Sequence, residues 1–147
     1  MRWLSAAVLA LIPLSLSGTE APVLKDDLCV AVNIFFEARA EPLKGQIAVK
    51  DVTRNRGKNA CAVVFAKHQF SWTAKTPWSR VQKFLVDKPT HLKQKEVQAW
   101  EKCKEIAKSS SSVLSKDYMY FHSVHVSPPW TRPGIVIGNH KFIKERK

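Results

Sequence analysis

Apolar and polar residues alternate along the chain in blocks that predict mostly helices. The first strong block runs from about Leu24 to Ala40, with Asp26 and Asp27 in a first turn where the helix dipole favours anions. From Leu28 onward it is almost wholly apolar, the pattern of a helix buried on nearly all sides. Asn33 and Glu37 interrupt it, four residues apart and therefore on one face. Pro42 disfavours helical geometry at Glu41 and suits the start of a new helix, from Pro42 to about Asn55, which Gly57 ends. Its inner face carries Leu43, Ile47, Ala48 and Val52.

Beyond it, Cys61–Phe65 is apolar and too short to assign to helix or strand. Thr76-Pro77 opens a short helix to about Val86, and Pro89-Thr90 opens another to about Lys108, with Leu92, Trp100, Cys103 and Ile106 inside. Ser109–Ser112 reads as a solvated loop. Tyr118–His122 and Ile135–Ile137 are strand-like, and the prolines between Ser123 and Pro133 demand a loop. These elements predict a single, mainly helical α+β domain with a small β element near the C-terminus.

The extreme N-terminus follows another logic. Arg2, the apolar run Trp3–Leu16 and the small residues Ser15, Ser17 and Gly18 have the order of a secretory signal peptide. The expected organisation is a signal over 1–18, an exported domain over 19–147, and no stable membrane span once the signal is removed. The 24 Lys+Arg against 12 Asp+Glu make a surface that attracts polyanions. Export disfavours nucleic acid and favours an anionic cell wall, in the periplasm or outside it.

Glu37 is the strongest candidate for chemistry. A carboxyl in apolar surroundings has a raised pKa, as a general acid requires, and a helix end before a sharp break can open onto a cleft. A surface carboxylate without a role fits the same spacing. Gln69-Phe70-Ser71-Trp72 and Tyr120-Phe121-His122 through Trp130 place aromatic rings beside hydrogen-bonding groups, as sugar-binding surfaces do. His122 and His125 have H-x-x-H spacing, with His140 beyond, but this is weak as a zinc motif.

Together these blocks resemble the SleB-type cell wall hydrolases, which include spore cortex-lytic enzymes and related phage and proteobacterial proteins. The resemblance runs from Cys29 through Phe36-Glu37-Ala38-Arg39-Ala40-Glu41-Pro42, Gly45–Val49 and Asn55-Arg56. It continues through Cys61–Val64 and Gln69–Trp72, then Tyr120–His122, Val126, Pro128, Trp130 and Ile137–Phe142. It implies a lysozyme-like, transglycosylase-type fold and cleavage of peptidoglycan glycan strands with Glu37 as the acid. Ala40 stands where the family usually has Gly, and Ile143 where it has an aromatic residue.

The expected reaction is cleavage between N-acetylmuramic acid and N-acetylglucosamine, by a lytic transglycosylase or a muramidase, in a monomer needing no cofactor or metal. Glu41 is the candidate second carboxylate of a hydrolase. Gln69, Ser71, Trp72, Tyr120, His122 and Trp130 are expected to line the sugar groove. The alternatives are a zinc-dependent muramoyl amidase using His122, His125 and His140, and a non-catalytic basic module that binds cell wall. A tight break between the first two helices makes them antiparallel. The segment after helix two then returns to the start of helix one, predicting a Cys29–Cys61 disulfide with Cys103 reduced.

Overall fold

The computed structural model describes residues 25–147. The signal-peptide reading of 1–18 lies outside the described residues. Six helices come first: α1 (Lys25–Ala38), α2 (Leu43–Asn55), α3 (Ala60–Phe65), α4 (Ser71–Lys75), α5 (Trp78–Leu85) and α6 (Gln94–Lys108). Three strands follow, β1 (Tyr118–Ser123), β2 (Ile135–Ile137) and β3 (His140–Lys144). Among the described residues no helix is long and apolar enough to cross a membrane.

The apolar run of α1 makes it the central helix, packed against α2, α3, α5 and α6. Nine of its 14 residues are buried, and that is why its sequence has no wide polar face. Helix α2 runs antiparallel to it. Arg54, near the end of α2, pairs with Asp26 and Asp27 at the start of α1, while Gln46 near the start of α2 donates to the Arg39 carbonyl just past the end of α1. Cys61 on α3 is thereby brought to Cys29, and the two form a disulfide with Cα atoms 5.1 Å apart. Cys103 is a buried free thiol, pushed up to about 12 by burial.

The polar side of α2 holds down the chain that leads to the sheet. Lys50 donates to the carbonyls of Ser109 and Ser111, and Asp51 accepts from the amides of Val113 and Leu114. Asn55 donates to the carbonyls of Ser115 and Tyr118. These bonds satisfy a connector that has no regular structure of its own, and they fix the sheet relative to the helical core.

The sheet is antiparallel in the order β1-β3-β2. Its central strand, β3, is one that the composition pattern misses, because His140-Lys141-Phe142-Ile143-Lys144 is short, carries two lysines and lacks a period-two alternation. Burial of His140, Phe142 and Ile143 and pairing on both edges make it a strand.

Two further differences are local. Gln69 and Phe70 lead into a short helix, α4, in a segment to which the sequence pattern assigns no element. Helix α6 begins at Gln94, not at Pro89-Thr90. Asp87 and His91 adopt left-handed backbone, φ 54° and 61°, and Glu96 reaches back to accept the Lys93 amide. The Asp87 carboxylate accepts from Trp100 Nε1 and Lys104, so the turn is tied onto the helix it precedes. Leu92 packs on the core from this turn.

Candidate active site

The last turn of α1 carries Glu37, one turn beyond Asn33. Asn33 is fully buried and doubly used. Its amide donates to Thr53 Oγ1 at 3.0 Å, and its oxygen accepts from Trp72 Nε1 at 2.8 Å. Phe36 stacks on Trp72, with centroids 4.5 Å apart and planes 12° from parallel. These contacts clamp α4 onto α1 and bring Gln69, Phe70 and Ser71 to the Glu37 side. Trp72 is therefore a buried core residue, only 7% exposed, and does not line the cavity beside Glu37. A tryptophan that meets a buried amide at one end and a ring at the other is held inside by both.

Glu37 opens into a cavity of about 380 Å³, shared with Arg56, Gln69, Ser71, His122 and His140 among others. An adjoining cavity of about 580 Å³ is lined by Tyr120 and Trp130. The two share Arg56, His68, Gln69 and Phe121, so they form one groove. Tyr120 and Trp130 are half exposed, with rings 6.2 Å apart. Of the residues expected to meet sugar, Gln69, Ser71, His122, Tyr120 and Trp130 come together along this groove.

Burial raises the Glu37 carboxyl from its ordinary 4.5 to about 7, and the Arg56 guanidinium acts in the opposite direction. The carboxyl is thus poised to carry a proton near neutrality. Arg56 was not singled out from the sequence, although it stands at the centre of the groove. Its Nε donates to the Met119 carbonyl at 2.7 Å, and its guanidinium lies 4.7 Å from the Phe70 ring centroid. An arginine capping the end of α2 has no distinctive pattern, and only the return of β1 across it reveals its place. His68 has no sequence signal either, while Phe121 and His140, read from the sequence as part of an aromatic cluster and of a weak zinc pattern, line the same cavity. His68 is in left-handed backbone at φ 63°, a conformation commoner for His than for most side chains.

Glu41 faces elsewhere. Its Oε2 accepts the Asn139 amide at 3.0 Å, and its Oε1 lies 3.9 Å from His140 Nδ1. Gly138, at φ 59° in the turn between β2 and β3, permits this contact. A Cβ there would sit 2.0 Å from the Glu41 carboxylate. Burial lowers the His140 pKa more strongly than Glu41 raises it, so the contact is not an ion pair near neutrality. Glu41 holds the β2–β3 turn against the break after α1 and does not line the cavity with Glu37.

The histidines do not assemble a metal site. His122 Nδ1 is 2.7 Å from the Ser123 carbonyl, which can only accept, so that nitrogen carries a proton. Its Nε2 is engaged by the Thr131 hydroxyl at 2.7 Å. Among the described residues no three His, Cys, Asp or Glu side chains converge as a metal would need.

Comparison with known proteins gives this groove a context. Residues 40–143 match the model of the cell wall hydrolase family. The chain belongs to the cell wall hydrolase family. It is a peptidoglycan-cleaving enzyme of the SleB type. Among solved structures it is similar to the catalytic domain of the Bacillus cereus SleB protein, with 22% identity and a TM-score of 0.52 over 85% of this chain and 94% of that one. At that identity the likeness speaks for the fold, mainly helical and lysozyme-like with a small sheet. No curated protein matches this hydrolase in sequence. The family match begins at Ala40, three residues after Glu37, so the case for Glu37 rests on its position and surroundings.

Proposed function

We propose that this cell wall hydrolase cleaves glycan strands between N-acetylmuramic acid and N-acetylglucosamine by a lytic transglycosylase mechanism, with Glu37 as general acid and then base. The observation that carries the reading is the Glu37 carboxyl itself. It has a pKa raised to about 7 and is the one carboxylate among the described residues that line its cavity.

Protonated Glu37 delivers its proton to the bridging oxygen as the bond from that oxygen to the muramoyl anomeric carbon breaks. The resulting Glu37 carboxylate accepts the proton of the muramoyl 6-hydroxyl, whose oxygen bonds to the same anomeric carbon. The products are a free 4-hydroxyl on one sugar, a 1,6-anhydro end on the other, and Glu37 protonated again. One carboxylate suffices. A muramidase would add water with help from a second carboxylate, and Glu41 is committed to the Asn139 amide. Gln69, Ser71 and His122 would bind hydroxyl and acetamido groups, and Tyr120 and Trp130 would take sugar faces. The enzyme would act on the wall after export.

Mass spectrometry of fragments from purified peptidoglycan tests this. The expected fragments end in 1,6-anhydromuramic acid, one water lighter than reducing ends. Reducing muramic acid ends would replace the transglycosylase by a muramidase. Free stem peptides with uncut glycan would overturn glycan cleavage altogether.

A further inference from the structure

The larger cavity, next to the one that holds Glu37, contains more than aromatic rings. Three arginines line it, Arg56, Arg132 and Arg146, and Glu145 is the one carboxylate among the described lining residues. Two of the arginines are pre-oriented. Arg56 is held by the Met119 carbonyl and by Phe70, and Arg132 donates through Nη2 to the Lys144 carbonyl. Among the described residues, nothing accepts from Nη2 of Arg56 or Nη1 of Arg132. Fixed guanidinium groups with unused N–H donors suit a carboxylate, which they can bind through paired hydrogen bonds. Neutral sugars would need only the aromatic wall of Tyr120 and Trp130 and a few neutral polar groups.

We infer that this cavity is a carboxylate-binding subsite, through which the enzyme prefers glycan strands carrying carboxylates close to the scissile bond. The inference rests on the glycan-cleaving reading above. Two parts of peptidoglycan supply the same chemistry: the lactyl carboxylate of a peptide-free muramic acid, and the carboxylates of a stem peptide. The cavity adjoins the one that holds Glu37 and shares four lining residues with it, so a substituent of a neighbouring sugar would enter it while the sugar chain passes the acid. Recognition there contributes binding energy remote from the reacting bond.

Binding to soluble glycan strands, measured calorimetrically with Glu37→Gln protein at fixed ionic strength, tests the subsite. Three strand preparations are used: with intact stem peptides, stripped of peptide so that the lactyl carboxylate is free, and stripped and then amidated so that no carboxylate remains. Amidated strands should bind about tenfold more weakly or worse than the best carboxylated form, the lower end for loss of a charge-assisted hydrogen bond. Preference for peptide-free strands would identify the lactyl carboxylate as the ligand, preference for peptide-bearing strands would identify the stem, and equal binding would show that the subsite takes either carboxylate.

In Arg132→Gln/Arg146→Gln the gap between carboxylated and amidated strands should shrink to within about twofold, and the corresponding Lys pair should restore part of it. Arg146→Gln alone, at an exposed position near the C-terminus, should narrow the gap even if the double variant does not fold. Lys102→Gln, an exposed lysine on α6 outside both cavities, is the charge-matched control. Equal binding of carboxylated and amidated strands by the parent protein would overturn the inference. So would a gap that survives the arginine substitutions, or one that Lys102→Gln narrows as much. Strand length is checked after each titration. Shortening by Glu37→Gln protein would refute Glu37 as the acid, while the carboxylate preference is read independently from the affinities.

Discussion

Glu37→Gln should make the protein inactive and, at alkaline pH, more stable. The Glu37 carboxyl ionises at about 7 in the folded chain and ordinarily at 4.5. Below pH 4.5 it is protonated whether the chain is folded or not, and its ionisation contributes nothing to stability. Between 4.5 and 7 the unfolded chain releases the proton and the folded chain keeps it, so folding becomes less favourable as pH rises. Above 7 both states are ionised and the cost levels off. The shift corresponds to about 3 kcal/mol of destabilisation at pH 8. Glutamine keeps the shape and does not ionise. The variant should therefore match wild type at pH 4 and exceed it by about 3 kcal/mol at pH 8, on the order of 10 °C in Tm for a domain of this size. Activity should fall by at least about 10²-fold, the lower bound for losing a general acid. Thermal melts of both proteins from pH 4 to 8, with glycan cleavage measured alongside, read both effects. A stability gap that does not change with pH would refute the raised pKa. A folded variant with full activity would refute the role.

Three further outcomes follow from the same structure. Wild-type kcat/KM should decline as pH rises through about 7, where Glu37 loses its proton. Arg56→Gln should move that decline to higher pH by removing the charge that favours the carboxylate, whereas Arg56→Lys should leave it nearly in place; a pH–rate profile that ignores Arg56 would contradict their coupling. Glu41→Ala should cost about 0.5–1.5 kcal/mol by removing the acceptor of the Asn139 amide, while Glu41→Gln keeps an acceptor and should lose less than about 10²-fold in rate. A larger loss in the folded Gln variant would make Glu41 catalytic. Reducing the Cys29–Cys61 bridge, which closes a loop of 32 residues in sequence separation, should lower stability by about 3–4 kcal/mol on a chain-entropy basis. Denaturant midpoints that coincide for oxidised and reduced protein would refute that.

Much of the helical frame was legible in the chain itself. The continuous apolar run of α1 required a helix buried on all sides, and Pro42 required a break after it. Those two features made α1 and α2 antiparallel, and the structure pairs Cys29 with Cys61 by that geometry. The N-terminal boundary of α6 was not legible. Pro89-Thr90 has a helix-start composition, but the Asp87 contacts with Trp100 and Lys104 fold the preceding residues into a turn instead.

The site divides along a similar line. Glu37 could be singled out because a carboxyl within an apolar helix stands out against its own neighbours. Trp72 looked equally suited to a sugar groove, and local sequence could not show that Asn33 and Phe36 hold it in the core. The direction of Glu41 depended on the turn at Gly138, 97 residues further along the chain, and the place of Arg56 on the return of β1. Periodicity, breaks and isolated charges are local properties, and the sequence by itself determined what they control: helices α1, α2, α5 and α6, their order and the candidate acid. Which aromatic rings face the groove, which carboxylate is committed to an amide, and which arginines converge depend on contacts between distant segments, and only the tertiary structure decided them.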